Sequence, residues 1–279
     1  MSKSIVLYLH AHQPWRVKPY SIFQAGGDHA YYNDETMHAD TNNRFIIDKV
    51  AEKSYLPMNA LLRDLLLTHP EFRISLSITG TLIEQLEQWR PDVLKSFQDI
   101  VATGKVEIVA ETYYHSLAFF YSRAEFVKQV ALHEQKIFDV FGVRPSAFRN
   151  TELSYNNELA AWADQAGYQA IITEGWDPIL GWRSPNYVYR PVGTEHIRLL
   201  MKNYRLSDDV AFRFSDKKWS EYPLTAEKYA HWLSEADGAG DVINLFMDYE
   251  TFGEHQWADS GIFDFLRAFP AEWLKTEGH

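Results

Sequence analysis

Short apolar runs that close on polar residues alternate along this chain with longer stretches whose apolar positions recur every three to four residues. The first pattern predicts buried strands and the second predicts amphipathic helices. Ile5 to His10 reads as the first strand and ends in the cluster His10-Ala11-His12-Gln13-Pro14-Trp15. Gln13 to about Asn43 is rich in Gly, His, Asn, Asp and Tyr without a period, which predicts a loop over a site. A helix is predicted over Phe45 to Leu67, with a break at Pro57. Phe72 to Gly80 alternates at period two and is the second strand. Leu82, Ile83, Leu86 and Trp89, then Val93, Leu94, Phe97 and Val101, have helical spacing interrupted at Pro91. Val106 to Ala110 is the third strand and closes on Glu111 and Tyr113-Tyr114-His115.

Ser122 and Glu125 have the spacing of a capping box. They precede a helix with Phe126, Val130, Ile137 and Phe141 on one face, stopped by Gly142. His133 and Glu134, like His231 further on, read as solvated helix positions. The fourth strand opens the stretch SAFRNTELSYN, Ser146 to Asn156, and Glu152 falls where strand gives way to loop. A helix over Glu158 to Ala166 ends at Gly167, and the fifth strand, YQAIITEG, ends in Glu174. Residues 175–194 mix Trp176, Trp182, Tyr187 and Tyr189 with Pro and Gly, as a loop laid across a mouth would. Ile197 to Lys202 is the sixth strand, and Thr225 caps a helix reaching about Ala236. Val242 to Met247 is the seventh strand and leads into Asp248; Ile262 to Leu274 is a last amphipathic stretch.

Strand and helix thus alternate about seven times, which calls for an α/β fold with a parallel sheet; closure into a TIM-like barrel suits the chain length. Chemistry in such barrels lies at the C-terminal strand ends. There the pattern places His10, His12, Glu111, His115, Glu152, Glu174, Asp248 and Glu250.

Composition narrows the chemistry. With 279 residues, 46% hydrophobic and 23% charged, the chain is long enough for one large globular domain. A net charge of -11 without a Lys/Arg cluster argues against nucleic acid and anionic membranes as partners. No cysteine is present, so thiolate nucleophiles, disulfides and Cys-based zinc sites are excluded. The N-terminal run is too short for a signal peptide and no run approaches a membrane span, so a cytoplasmic location is expected. Nine Trp, 16 Tyr and 17 Phe are more than a core of this size needs. Tyr31, Tyr113, Tyr114, Tyr121, Trp176, Trp182, Tyr249 and Trp257 are candidates to stack on sugar faces, although any one of them taken alone is more often ordinary packing.

Cleaving a glycosidic bond with retention needs a carboxylate nucleophile and a carboxylic acid of different proton affinity. Glu152 and Asp248, on different strands of one mouth, form such a pair; either alone reads as a solvated or capping acid. His10 and His12 alternate on a strand and so point one way, which offers a rival reading as metal ligands completed by His115 and Asp248, in a metal-dependent hydrolase. Neutral histidines bonded to sugar hydroxyls are the other use of the same residues.

Four segments, HAHQP, GKVEIVAETYYH, RNTELSY and MDYETFGEHQW, occur in an order that resembles the first four conserved regions of glycoside hydrolase family 57, the α-amylase, glucanotransferase and branching-enzyme family. The resemblance implies a distorted (β/α)7 barrel, a retaining mechanism on α-glucans or maltooligosaccharides, and no obligatory metal or other cofactor. It implies Glu152 as nucleophile and Asp248 as acid/base. It matches His12 and His115 to substrate-contacting histidines and sets Glu250, His255 and Trp257 in the fourth segment, with His10, Glu111 and Trp176 as further substrate-binding candidates. The family's catalytic region normally continues into a helical segment, so residues 1–279 are expected to be a single barrel domain, truncated at its C-terminus. A homologue that binds glucan without turnover is the alternative.

Overall fold

The computed structural model describes residues 4–32, 40–236, 240 and 242–276. Seven strands, β1 (Ser4–Ala11), β2 (Ile74–Ile78), β3 (Val106–Ala110), β4 (Ala147–Arg149), β5 (Ala170–Thr173), β6 (Arg198–Met201) and β7 (Val242–Asp248), form one sheet in the order β6-β5-β4-β3-β2-β1-β7. Every pairing is parallel, with His10 opposite Ser77 on one side and Asp248 on the other. The ends of the sheet are β6 and β7, and asparagines bridge them. The Asn203 N–H donates to the Asn244 carbonyl at 2.8 Å, and Asn244 Nδ2 donates to the Met201 carbonyl at 2.8 Å. The predicted seven-stranded barrel is therefore present and nearly closed.

Period-two alternation sorts each strand into an outer and an inner face. Leu7, Leu9, Leu76, Ile108 and Leu245 face the helices in the largest core cluster. Tyr8, Val109, Ala147, Ile172 and Phe246 pack together as a separate cluster, the interior of the barrel. Two residues further along each of these strands stand His10, Glu111, Arg149, Glu174 and Asp248. An apolar layer thus floors a polar one at the C-terminal mouth, the geometry expected of barrel interiors.

The helix predicted over Phe45 to Leu67 runs as Asn43–Val50 and Leu56–Thr68 around a π-helical turn, Ala51–Tyr55. Pro57 cannot donate to the Lys53 carbonyl four residues back, and a wider turn accommodates its ring. That carbonyl lies against Gly253, where a Cβ would stand 1.9 Å from the oxygen. Ser122 caps Arg123–Phe141 by accepting from the Glu125 N–H at 3.3 Å, and Gly142 ends it at φ 71°. Three short helices went unpredicted, Ala118–Tyr121, Asp177–Leu180 inside the predicted loop of residues 175–194, and Tyr204–Ala211. The predicted loop of residues 13–43 is non-helical where it is described; residues 33–39 lie outside the described residues. Among the described residues no helix is long and apolar enough to cross a membrane.

Candidate active site

A polar cavity of about 310 Å³ opens at the mouth, and His10, His12, His115, Glu152, Asp248, Glu250 and His255 all line it. Glu111 lies beneath it, fully buried. Seven of the ten residues singled out from sequence therefore share one cavity, with an eighth as its floor. Trp176 instead lines a larger, mainly apolar cavity of about 520 Å³ with Tyr155, Ile179 and Tyr189, and Glu152 borders both. Trp257 is 67% exposed outside both cavities, its ring 5.8 Å from Lys53 Nζ.

Two arms run through the site from the buried Glu111. In one, His10 Nε2 is 3.1 Å from Glu111 Oε2 and His10 Nδ1 is 3.9 Å from Asp248 Oδ1. In the other, His115 Nδ1 is 3.6 Å from Glu111 Oε2 while Nε2–H donates to Glu152 Oε1 at 2.9 Å. One carboxylate thus lies against two imidazoles, and each imidazole faces a carboxylate at the surface of the cavity. The backbone supports the same emphasis. Among the described residues the non-glycine positions at positive φ are His115 (53°), Glu152 (56°) and Leu153 (53°). A left-handed residue of this kind costs on the order of 1 kcal/mol or more, and such strain concentrates at functional sites.

Charges in the site are set by burial and neighbours. Burial pushes the His12 ring down to about 3, helped by His115 and His10, so it is neutral. Its Nδ1 meets Thr79 Oγ1 at 2.9 Å, and its ring stacks on His115 at 4.2 Å between centroids. Burial works to raise Glu111, but His10, His115 and Arg149 outweigh it and hold the carboxyl well below the usual range. Burial also works to raise Asp248, and the neighbouring His10 overcomes it, keeping Asp248 ionised. Burial and Arg149 push His10 down while Glu111 and Asp248 hold its proton, and the balance lies above the ordinary value. Glu250 goes the other way. Burial, with the charge of Asp248, lifts it to about 7 although Tyr55 donates to it.

The rival metal reading meets a direct obstacle. The donor atoms of His10, Glu111 and His115 do lie within 4.8 Å of one another. However, Arg149 Nη1 stands 3.0 Å from Glu111 Oε2 and 3.1 Å from His10 Nε2, so a fixed guanidinium already holds the cation's position. These residues do not fit a divalent cation.

Several expectations are corrected. His133 is fully buried rather than solvated. Its Nδ1 accepts from the Glu111 N–H at 3.4 Å and its Nε2–H donates to the Ile78 carbonyl at 3.0 Å, so it fixes the strand end that carries Glu111. Glu134 is half-buried and accepts from the Tyr168 hydroxyl at 2.7 Å, whereas His231 is exposed as expected. Tyr113 and Tyr249 are core residues, not platforms. Tyr113 lies over Gly80, where a Cβ would come within 2.4 Å of its ring, and Tyr249 donates to Asn59 inside the barrel wall. Sequence reasoning missed Arg149, Gln13, Arg16 and Tyr55. Arg149 was visible in principle as the residue two positions after the inward-facing Ala147.

Comparison with known proteins fits this geometry. The computed fold superposes on a branching enzyme from Thermococcus kodakaraensis over the whole chain and 69% of that chain, with a TM-score of 0.71 at 12% identity. It superposes on a 4-alpha-glucanotransferase from Thermococcus litoralis with a TM-score of 0.69 at 18% identity, over 96% of this chain and 37% of that one. In sequence it is 48% identical over 242 residues to a Methanocaldococcus jannaschii protein named "Putative alpha-amylase", covering 86% of this chain and 51% of that protein. The chain thus spans about half the length of that relative. The family model for Glycosyl hydrolase family 57 matches residues 6–279. With four ordered motifs set around one mouth of a seven-stranded barrel, the chain belongs to glycosyl hydrolase family 57.

Proposed function

We propose that this chain is the catalytic barrel domain of a retaining glycoside hydrolase or glucanotransferase acting on α-1,4-glucans, with Glu152 as nucleophile and Asp248 as acid/base. The observation that supports it best is that both carboxylates border one polar cavity and are joined through His115, Glu111 and His10. Family membership and relatives named for amylase and glucanotransferase activity support the substrate class.

In the first step the Glu152 carboxylate, held by His115, attacks the anomeric carbon. The bond to the departing oxygen breaks, and that oxygen takes a proton from the Asp248 carboxyl. In the second step water or a sugar hydroxyl attacks the same carbon, gives its proton to Asp248, and frees Glu152. Asp248 is ionised in the free chain, so the proton it donates is the one it shares with His10. His12, His255 and Glu250 surround the reacting residue, and Trp176 offers a stacking face beyond Glu152.

Glu152→Gln tests the reading. Release of reducing sugar from maltooligosaccharides should fall by at least about a thousand-fold, the scale on which removing a nucleophile acts, while calorimetry still detects glucan binding. Full turnover in the variant would overturn the assignment, and a wild-type chain that binds glucan without releasing sugar would favour a binding homologue.

A further inference from the structure

Arg149 ends β4 in the polar layer of the mouth and is only 4% exposed. Its Nη1 lies 3.0 Å from Glu111 Oε2 and 3.1 Å from His10 Nε2, and its Nε is buried without a hydrogen-bond partner. A guanidinium has donors only. The same Nε2 lies 3.1 Å from Glu111 Oε2, so in a neutral His10 it either gives a proton to Glu111 or accepts from Arg149; in the second case the ring proton lies on Nδ1, 3.9 Å from Asp248 Oδ1.

We propose that Arg149 is a positioning residue for the acid/base half of the reaction: wedged between Glu111 and His10, it keeps the ring proton of His10 on the nitrogen that faces Asp248. The inference rests on Asp248 being the acid/base. Without Arg149, the Glu111 carboxylate alone would face His10 Nε2 and draw the proton to that side. His10 Nδ1 would then carry no proton to pass to the Asp248 carboxylate. Arg149 also pairs the buried charge of Glu111, which would otherwise meet His10 Nε2 alone.

The groups that act on His10 come from the ends of three other strands. Glu111 and His115 belong to the end of β3, Arg149 to β4, and Asp248 with Glu250 behind it to β7. On its own strand, His12 stacks at 5.9 Å. His133 acts indirectly, behind Glu111. Of these, Arg149 is the cation that keeps its charge at every working pH.

Two variants separate charge from shape. Arg149→Met removes charge and donors at similar length, and Arg149→Lys restores the charge. For Arg149→Met we expect kcat on maltooligosaccharides to fall at least about ten-fold, by loss of acid/base efficiency, with a smaller change in KM. The alkaline limb of the kcat/KM profile should move to higher pH, since loss of a neighbouring cation tightens the proton held by His10 and Asp248. Arg149→Lys should return the limb toward its original position. A limb that stays in place in Arg149→Met, or moves equally in Arg149→Lys, overturns the proposal, since a purely structural role would lower the melting temperature and leave the limb alone. Should Arg149→Met fail to fold, ¹⁵N-histidine NMR of the unmodified chain decides, at a pH where His10 is neutral. A proton on Nδ1 supports the proposal and a proton on Nε2 overturns it. If Asp248→Asn retains full turnover, the acid/base assignment fails by itself, whatever Arg149 does.

Discussion

Glu250 offers a quantitative check on the electrostatics of the mouth. It is 4% exposed, and its Oε1 accepts from Tyr55, from Gln13 Nε2 at 3.3 Å and from the His12 N–H at 3.3 Å. Burial, reinforced by the nearby Asp248 charge, raises its carboxyl from 4.5 to about 7. The folded state therefore holds a proton that the unfolded chain gives up at lower pH. Stability from this group is fully present below pH 4.5 and is lost as pH rises through about 7. At about 1.4 kcal/mol per pH unit the loss amounts to roughly 3 kcal/mol. Glu250→Gln keeps an acceptor oxygen and removes the titration. Denaturant unfolding of both chains at about pH 5 and about pH 8 should show the variant gaining roughly 3 kcal/mol relative to wild type at the higher pH. A wild-type to variant difference that is the same at both pH values would refute the reasoning.

Two further outcomes follow from particular contacts. His133→Leu keeps the volume apolar but leaves the Glu111 N–H and the Ile78 carbonyl buried without their partner. It should cost about 2 to 4 kcal/mol in chemical denaturation, and a variant as stable as wild type would count against this role. Trp176→Ala should raise KM for long maltooligosaccharides by about 2- to 10-fold, the worth of one aromatic contact, with less effect on short ones. An equal change across chain lengths would deny the apolar cavity beside Glu152 a part in holding the glucan.

The barrel was legible because each strand end combines an apolar run with a sudden polar residue, and helical spacing fills the gaps between. The order of strands and the strand-end residues His10, Glu111 and Asp248 follow from that rhythm, and Glu152 follows from the strand-to-loop change after β4. What escaped has physical reasons. Tyr204–Ala211 carries only Leu206 and Val210 as a helical signal, too few to stand out although Asn203 caps it at the Leu206 N–H. His133 lies three residues after Val130 and four before Ile137, on the buried stripe itself, yet its residue type suggested solvent. Its burial is possible because two backbone groups from other elements meet its ring, a fact of tertiary structure. Arg149 was hidden likewise: a charge in a three-residue strand makes sense only once Glu111 and His10 are seen beside it. Tyr55, the last residue of the π-helical turn, meets Glu250 from the far end of the chain, a contact no local spacing announces.

The central claim is that Glu152 forms a covalent bond to the sugar. The most direct measurement uses an activated fluoro-glucosyl donor, whose intermediate breaks down slowly, followed by digestion of the trapped protein and mass spectrometry. The account predicts a glycosyl mass on the peptide containing Glu152, absent in Glu152→Gln, and products that keep the α configuration by NMR. A label on another carboxylate, or turnover with inverted products and no label, would contradict it.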